Sequence, residues 1–352
     1  MKMKPVKLML MGITLLSAMF IASCSSDDGP VEGDKTALSA AITEIEDALS
    51  SAEEGTLEGQ YQSGSKATLQ AAVDAAKAVV ADKGAEQAKV NSALANLQAA
   101  LVAFEAKVVE PIDLANLVAR WKFDEGTGTT ANDESTNNFD GAFKTGPAGW
   151  GAGVPTWSTD RFGAANKALH FDKGANIEVP YNTALNPTKI SISIWVKADE
   201  IKPGNRFIGL QSWIGYKFEL QEANRPFLSI GKPDGGTYDR DSQQNLPINE
   251  WHHLIATFGG GNMVFYVDGE LVLAWDNTPG DARSISGTPY NFVIGQDFPT
   301  DKYAATDTNF DNDHIIPLAW GGFFHGSLDD IRIYKSVLTA SQVASIYASE
   351  KP

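Results

Sequence analysis

Two hydrophobic periods divide the chain into two predicted units. In residues 36–107 the apolar positions recur at helical spacing, and in residues 117–352 they recur at alternate positions, the period of a half-buried strand. The first stretch contains neither Trp nor Pro, whereas all eight Trp of the chain lie in the second. The pattern therefore predicts a small helical unit followed by a larger β unit.

Three helices are predicted in residues 36–107. The first has its apolar face between Leu38 and Leu49, the second begins near Ser65, and the third begins near Gly84. The alanine-rich faces allow close antiparallel packing, which favours a three-helix bundle. Residues 108–116 then form the predicted linker to the β unit.

The β unit is predicted as one antiparallel sandwich. Residues 189–197 alternate cleanly, and residues 251–258 form a second apolar strand. A third strand leads into Asp268-Gly269, a hairpin signal, before the next apolar run. Strands do not alternate with helices, so the fold class is an all-β sandwich or jelly roll over residues 117–352, preceded by the helical bundle.

The strands carry residues that resemble laminin-G-like, concanavalin A-like jelly rolls. The segments that match this family's pattern, in order, are 118–126, 168–172, 177–180, 251–258, 264–272 and 326–334, then 338–339 and 346–347. The resemblance covers nearly all of residues 117–348. It implies a two-sheet sandwich that frequently binds carbohydrate and commonly holds one structural calcium ion where the first and last strands meet.

The helical unit resembles FIVAR-type modules, which are short helical repeats of bacterial surface proteins. The matching pieces are Tyr61, residues 69–73, residues 90–94 and residues 97–100. The unit has no concentration of aromatics, histidines or apposed acids. A spacer that lifts the next domain off a membrane is therefore expected, with direct ligand binding as the alternative.

The first residues predict export and lipid anchoring. Three lysines precede an apolar run too short to span a bilayer, and residues 21–24, Ile-Ala-Ser-Cys, resemble a lipobox. Residues 1–23 are thus the expected signal peptide, with Cys24 the lipidated residue and residues 24–35 a tether. An ordinary signal peptide with a chance thiol is the alternative. The acidic run after Cys24 resembles the export signal of Bacteroidetes-type lipoproteins, so we expect an outer-membrane, surface-exposed protein.

The net charge of the chain argues against some classes of binding partner. The full chain has a formal charge of −16, and removing residues 1–23 with their three lysines brings it to about −19. A strongly acidic protein is repelled by phosphate, which argues against nucleic acid and anionic lipid. Cys24 is the only cysteine, so no internal disulfide forms.

Four carboxylates are candidate calcium ligands. Asp124 and Asp133 lie in or after the first strand, and Asp329 and Asp330 lie in the last, which strand pairing could bring together. Calcium takes six to eight hard oxygen ligands, usually including several carboxylates. In the alternative arrangement, Asp329 or Asp330 pairs with Arg332, while Asp133 caps a turn.

Aromatic side chains are the candidate sugar ligands, because an aromatic ring stacks on the face of a pyranose. The candidates are Trp150, Trp157, Trp213, Tyr216, Trp275, Tyr303 and Trp320. Trp121, Trp195 and Trp251 lie at strand positions typical of the family and are expected to be structural. Residues 296–325 form a longer connection than the family pattern has; a ligand loop and a surface decoration both remain open.

Catalysis has no clear sequence support. Glycosidases need two carboxylates at a defined separation, and the Glu-x-Asp-x-x-Glu pattern typical of concanavalin A-like hydrolases is missing. His252-His253 belongs to the jelly-roll pattern and is interpreted as structural. The sequence thus favours a non-catalytic surface lipoprotein that binds polysaccharide. A protein-binding adhesin or structural surface protein is the alternative, and a glycoside hydrolase a further one.

Overall fold

The computed structural model describes residues 32–304 and 316–352. The chain divides into two compact units, residues 1–111 and 112–352, and the division falls within the predicted linker. Cys24 and the predicted signal peptide lie outside the described residues, as do residues 305–315 of the long connection. In the described part of the chain, no helix combines the length and the apolar character needed to cross a membrane.

The first unit contains three helices that share one apolar core. They are α1 (Thr36–Ser51), α2 (Ser65–Ala81) and α3 (Gln87–Glu105). Leu38, Leu69 and Leu97, one from each helix, are almost fully buried in that core. Because apolar residues recur at three- and four-residue spacing, each helix turns one stripe toward the others. The third helix begins at Gln87, later than expected, because residues 82–85 form a turn in which Ala85 N–H donates to the Asp82 carbonyl.

The second unit is a β-sandwich. In chain order its described strands are β1 (Leu117–Trp121), β2 (Thr130–Ala131), β3 (Gly141–Lys144), β4 (Thr156–Ser158), β5 (Ala168–Phe171), β6 (Asn176–Val179), β7 (Ile190–Ala198), β8 (Asn205–Leu210), β9 (Tyr216–Gln221), β10 (Arg225–Gly231), β11 (Thr237–Asp241), β12 (His252–Gly259), β13 (Gly261–Val267), β14 (Glu270–Thr278), β15 (Phe292–Ile294), β16 (Tyr303–Ala304), β17 (Ile316–Pro317) and β18 (Gly326–Tyr334). A helix, α4 (Ala340–Glu350), follows the last strand.

These strands form two large antiparallel sheets. The order of sheet 1 is β14-β13-β12-β7-β18-β5-β4, with β1 also paired to β18. The order of sheet 2 is β11-β10-β9-β8-β15-β6-β3-β2. β16 and β17 form a separate short parallel pair. The expected antiparallel sandwich is therefore confirmed.

The main core lies between the two sheets. Trp121 of β1 stacks on Phe292 of β15 at 5.4 Å between ring centroids, which joins one sheet to the other. The predicted inward face of β7 is buried there through Ile190, Ile192 and Ile194. Alternation along a strand places such residues on one face of the sheet.

The outer face of sheet 1 is also covered, by the chain end. Val343 and Ile346 of α4 pack with Ile255 and Tyr266 on that face. A capping box at Thr339 fixes where the helix begins. Residues on the outward side of β7 are therefore buried as well, which the alternating sequence pattern does not reveal.

Candidate ligand-binding site

A concave surface lined by aromatic residues, called here the aromatic pocket, begins at the turn between β8 and β9. Gln211 enters this turn with φ +50°, in the left-handed region. Its carbonyl accepts the N–H groups of Ile214 at 2.8 Å and Gly215 at 3.1 Å, which closes a tight helical turn. The turn leaves Trp213 and Ile214 half-buried at the end of the β8–β9 hairpin.

A segment of the long connection forms the opposite wall by crossing sheet 2. A Cβ on Gly209 of β8 would lie 2.4 Å from Asp297 Cα, so only glycine allows the backbone to pass this close. Beyond the crossing, the ring of Phe298 lies 5.5 Å from that of Trp213 and 6.2 Å from that of Tyr290. With Ile316, these residues form a small apolar cluster separate from the main core.

A buried polar network fixes the crossing segment to the sheet. Arg206 of β8 forms ion pairs with Glu219 of β9, at 2.9 Å from Nε to Oε2, and with Asp297. The hydroxyl of Tyr303 donates to the same Asp297 carboxylate. Burial and the neighbouring Asp297 raise the pKa of Tyr303 well above its usual value, which keeps the phenol a donor. Hydrogen-bonded buried charges of this kind define one position for the segment.

The resulting cavity has a volume of about 420 Å³ and is mostly apolar. Its described lining consists of Gln211, Trp213, Ile214, Tyr290, Phe298, Ile316 and Trp320. Trp320 is 48 % exposed, so its ring is accessible. Gln211 is only 5 % exposed, and its Oε1 atom has no hydrogen-bond partner among the described residues. A buried acceptor without a partner is costly and is expected to be satisfied by water or a ligand.

Four of the predicted aromatic residues lie in this pocket or beneath it. Trp213 and Trp320 line it directly, while Tyr303 packs against Phe298 and is held by Asp297. Trp150 packs edge-on against Tyr303 at 4.7 Å, behind the lining. The structure thus gathers four of the seven predicted aromatics around the long connection.

The remaining predicted aromatics lie elsewhere. Trp157 packs against Phe143 and donates from Nε1 to the Gly128 carbonyl. Trp275 donates from Nε1 to the carbonyl of Asp241, and both indoles are half-buried. Tyr216 is corrected: it is 1 % exposed, and its hydroxyl donates to the Leu185 carbonyl within the core. The inward position of Tyr216 on β9 removes it from the set of ligand-facing residues.

Gln211, Tyr290 and Phe298 were missed by the sequence interpretation. No strand alternation singles them out, because Gln211 lies in a turn and the other two flank the short strand β15. Phe298 lies near the start of the long connection, residues 296–325, and that position was the one sequence feature that could have identified it.

A second concave surface, called here the charged pocket, contains three of the predicted calcium ligands. It has a volume of about 320 Å³, and its charged lining residues are Arg120, Lys122, Asp124, Asp160, Arg161, Lys167, Asp329, Asp330 and Glu350. Asp330 receives two hydrogen bonds from Arg120, at 2.9 and 2.8 Å, and one from Arg332 at 2.9 Å. Asp329 pairs with Arg161 at 2.5 Å.

The pKa values of the two adjacent carboxylates are shifted in opposite directions. Burial raises the pKa of Asp329 to about 7, although Arg161 opposes that shift. Burial also acts to raise the pKa of Asp330, but Arg332 and Arg120 outweigh it and lower that pKa. Two adjacent buried acids share the available guanidinium groups, so their ionisation is coupled.

The four predicted acids do not fit a calcium ion in the observed arrangement. Asp133 caps a turn, accepting from the N–H groups of Arg120, Ser135 and Phe139. Asp124 is half-exposed and faces Lys167 at 3.5 Å. Calcium needs several unshared oxygens, whereas the oxygens of Asp329 and Asp330 already bind arginines. Calcium binding stays a prediction from the resemblance.

Part of the β-sandwich is similar to concanavalin A-like domains. Residues 171–344 match the family described as the concanavalin A-like lectin/glucanases superfamily. No curated protein matches the chain.

Several solved structures are similar to part of this chain. One is domain 4 of AbnA, a GH43 extracellular arabinanase from Geobacillus stearothermophilus, in complex with arabinotriose; identity is 21 %, coverage is 66 % of this chain and 98 % of that one, and the TM-score is 0.48. Another is the binding domain of Paraclostridial Mosquitocidal Protein 1, at 16 % identity, 67 % and 52 % coverage, and a TM-score of 0.46. The binding domain of Botulinum Neurotoxin DC in complex with SialylT has 12 % identity, 67 % and 52 % coverage, and a TM-score of 0.44. The chain spans about half the length of the two toxin domains.

Proposed function

We propose that this protein is a non-catalytic surface lipoprotein whose β-sandwich binds carbohydrate in the aromatic pocket. One observation carries the proposal: Trp213 and Trp320 line the same cavity as a buried amide oxygen that has no partner among the described residues. A pyranose offers an apolar face for the rings and hydroxyl donors at its edge. Ligand sites typically combine a mostly apolar lining with a few placed polar groups.

The shape of the surface favours a sugar over a protein partner. Small-molecule sites are concave, and the aromatic pocket is a cavity with two indoles in its wall rather than a flat surface. Tryptophan combines a large apolar plane with one polar N–H, which suits a ligand that is apolar on one side and hydroxylated on the other. Binding of a surface protein is the alternative.

A binding role is preferred to a catalytic one because of the carboxylates nearby. The described lining of the aromatic pocket includes no Asp or Glu. The acids beneath it, Asp297 and Glu219, are fully buried and share the guanidinium of Arg206. A glycosidase needs one carboxyl group that can donate a proton and a second that is free to act as nucleophile or base.

The location proposed for this function is the outer membrane surface. A lipid on Cys24 would hold the chain there, since acyl chains provide stable membrane anchoring when more than one is attached. The tether and the helical unit would then act as a spacer for the sandwich. Labelling with radioactive palmitate, compared between wild type and Cys24→Ser, tests the anchor.

Affinity electrophoresis of the full chain in gels containing plant, algal or host polysaccharides tests the binding proposal. We expect retardation by at least one glycan and its loss in Trp320→Ala. Phe162→Ala is the matched control, because Phe162 is an exposed aromatic, 56 % against 48 % for Trp320, in the charged pocket. Absence of retardation by every glycan, or equal retardation of Trp320→Ala and wild type, contradicts the proposal.

A further inference from the structure

Three strands of sheet 1 end beside one another and bring two histidines and an aspartate together. Ser327 of β18 pairs with His170 of β5, and Gly326 pairs with Ala198 of β7. The residues next to these positions, His325 and Asp199, are linked by a hydrogen bond from Asp199 N–H to the His325 carbonyl. Strand register therefore fixes the three side chains at one sheet edge.

The ligand atoms of these three residues lie close enough to share one ion. His170 Nε2 is 3.0 Å from Asp199 Oδ2, and His325 Nε2 is 3.9 Å from the same oxygen. One ligand atom from each residue lies within 4.8 Å of the other two. Zinc binds imidazole nitrogen and carboxylate oxygen at about 2.0–2.2 Å, so small side-chain rotations bring all three into contact with one ion.

A fourth acid orients one of the imidazoles. Glu200 Oε1 lies 3.1 Å from His325 Nδ1. A carboxylate only accepts, so Nδ1 carries the proton of the neutral ring and Nε2 presents its lone pair toward Asp199. Metal-binding histidines are typically held in this way, with the second ring nitrogen donating to a carboxylate.

The surroundings fit an ion that enters from solvent. The side chains of His170, Asp199 and His325 are 31 %, 30 % and 28 % exposed. A further carboxylate, Asp172, has Oδ1 at 3.9 Å from His325 Nε2. Tetrahedral zinc takes four such ligands, or three protein ligands and a water.

The other partly exposed histidine of sheet 1 shows what an ordinary pair looks like. His252 Nδ1 lies 2.8 Å from Asp268 Oδ2, with no second imidazole in that pair. The edge cluster differs because two imidazoles converge on a single carboxylate and one of them is oriented from behind. A simple His–Asp hydrogen bond requires neither feature.

We propose that His170, Asp199 and His325 form a binding site for a divalent transition-metal ion, zinc in the first place, with Asp172 or water as the fourth ligand. Nitrogen donors select zinc and its neighbours over calcium and magnesium, which prefer oxygen. The ion replaces the proton shared by His170 Nε2 and Asp199, and that proton passes to solvent. Bound there, it cross-links β5, β7 and β18 at the residue where the long connection re-enters the sheet.

Isothermal titration of the untagged, chelator-treated full chain with zinc chloride tests the site. We expect one ion per chain at this site, more than ~100-fold weaker affinity in each of His170→Gln and His325→Gln, and ~10-fold weaker affinity in Glu200→Gln. His252→Gln is the matched control and keeps wild-type affinity. Calcium chloride in excess should not displace the zinc.

Thermal unfolding provides a second readout for the same variants. Zinc should raise the midpoint of the wild type, because an ion that binds only the folded state stabilises it. The midpoints measured without zinc show whether His170→Gln and His325→Gln are folded. Absence of zinc binding, or a loss of affinity in only one of the two histidine variants or in neither, overturns the shared site. This result is independent of the glycan screen.

Discussion

The aromatic pocket and the charged pocket are both concave surfaces of the same sandwich, yet they differ in whether the chain satisfies its own polar groups. In the charged pocket, Asp329 and Asp330 are each paired with arginine. In the aromatic pocket, the buried oxygen of Gln211 has no partner among the described residues. Residue type alone therefore does not identify a binding surface; groups left without partners are the better sign.

The largest effect is expected from removing a carboxylate of the charged pocket. Asp330→Ala should lower the free energy of unfolding by ~3–5 kcal/mol, because the buried Arg332 loses one of its two carboxylate partners and Arg120 loses both hydrogen bonds to Asp330. Urea unfolding followed by tryptophan fluorescence measures this in the sandwich alone, since all eight Trp lie there. Asp124→Ala, at a half-exposed position, is the control and should change little. A loss below 1 kcal/mol in Asp330→Ala would show that the ion pairs of the charged pocket contribute little to stability, and would contradict the difference drawn between the two pockets.

The interior next to the charged pocket should also respond to pH. Burial, with Arg332 adding to it, lowers the pKa of His253 to about 3 from 6.5. Below pH 6.5 the unfolded chain binds a proton that folded His253 does not, so its contribution to stability falls as pH falls toward 3. The stability of wild type relative to His253→Gln should therefore drop by about 1.5 kcal/mol between pH 6.5 and 5.

The wild type has to be compared with His253→Gln because Asp329 changes the stability with pH in the opposite direction. Its pKa is raised to about 7, so its contribution to stability increases as pH falls from 7 toward 4. A difference between wild type and His253→Gln that does not change with pH would show that His253 is protonated in the folded state.

A smaller change in free energy is expected in the aromatic pocket, where a substitution should weaken glycan binding without lowering the stability of the fold. Gln211→Leu should weaken binding of the retained glycan by ~10-fold, or about 1.4 kcal/mol, because one hydrogen bond to the sugar is lost. The same change removes a buried amide oxygen that has no partner among the described residues, so the urea midpoint should be unchanged or higher. Ile214→Ala, on the same turn, removes apolar lining but keeps the Gln211 amide. Comparing the two variants therefore separates the loss of the hydrogen bond from the loss of apolar contact. Equal glycan affinity in Gln211→Leu and wild type would remove Gln211 from the site.

The smallest effect concerns calcium. Since Asp329 and Asp330 are already paired with arginines, EGTA should leave the thermal midpoint of the sandwich within about 1 °C of its value in added calcium. Differential scanning fluorimetry makes the measurement. A drop of several degrees in EGTA would show that calcium competes with the ion pairs, and would make the charged pocket a metal site after all.

The architecture was largely predictable because strand alternation is a local signal. The inward face of β7 was expected from Ile190, Ile192 and Ile194, and the three helices were expected from their apolar stripes. The partners of Asp330 were harder to foresee, since Arg120 lies 210 residues away in the chain. Pairing between distant strands decides such contacts, and a single sequence does not specify it residue by residue.

The binding surface was predictable only in part. Trp213, Trp320 and Tyr216 were all candidate ligand residues; the first two line the aromatic pocket, whereas Tyr216 lies in the core. A slip of one residue along a strand reverses which face a side chain occupies, and the turn at Gln211 sets that register for β9. The histidine cluster at the edge of sheet 1 depends on three strand ends and had no signature in the linear sequence.

The absence of a side chain at Gly209 has a consequence for how this domain could acquire new specificities. The segment that crosses there rests on the sheet without contributing a strand to it at that point. One wall of the aromatic pocket is thus a segment that lies on top of sheet 2, and the other wall is the β8–β9 hairpin of the sheet itself. Substitutions in this segment other than at Asp297, which pairs with Arg206 of the sheet, can diversify recognition with little effect on the stability of the sheet, much as variable loops do on a constant framework.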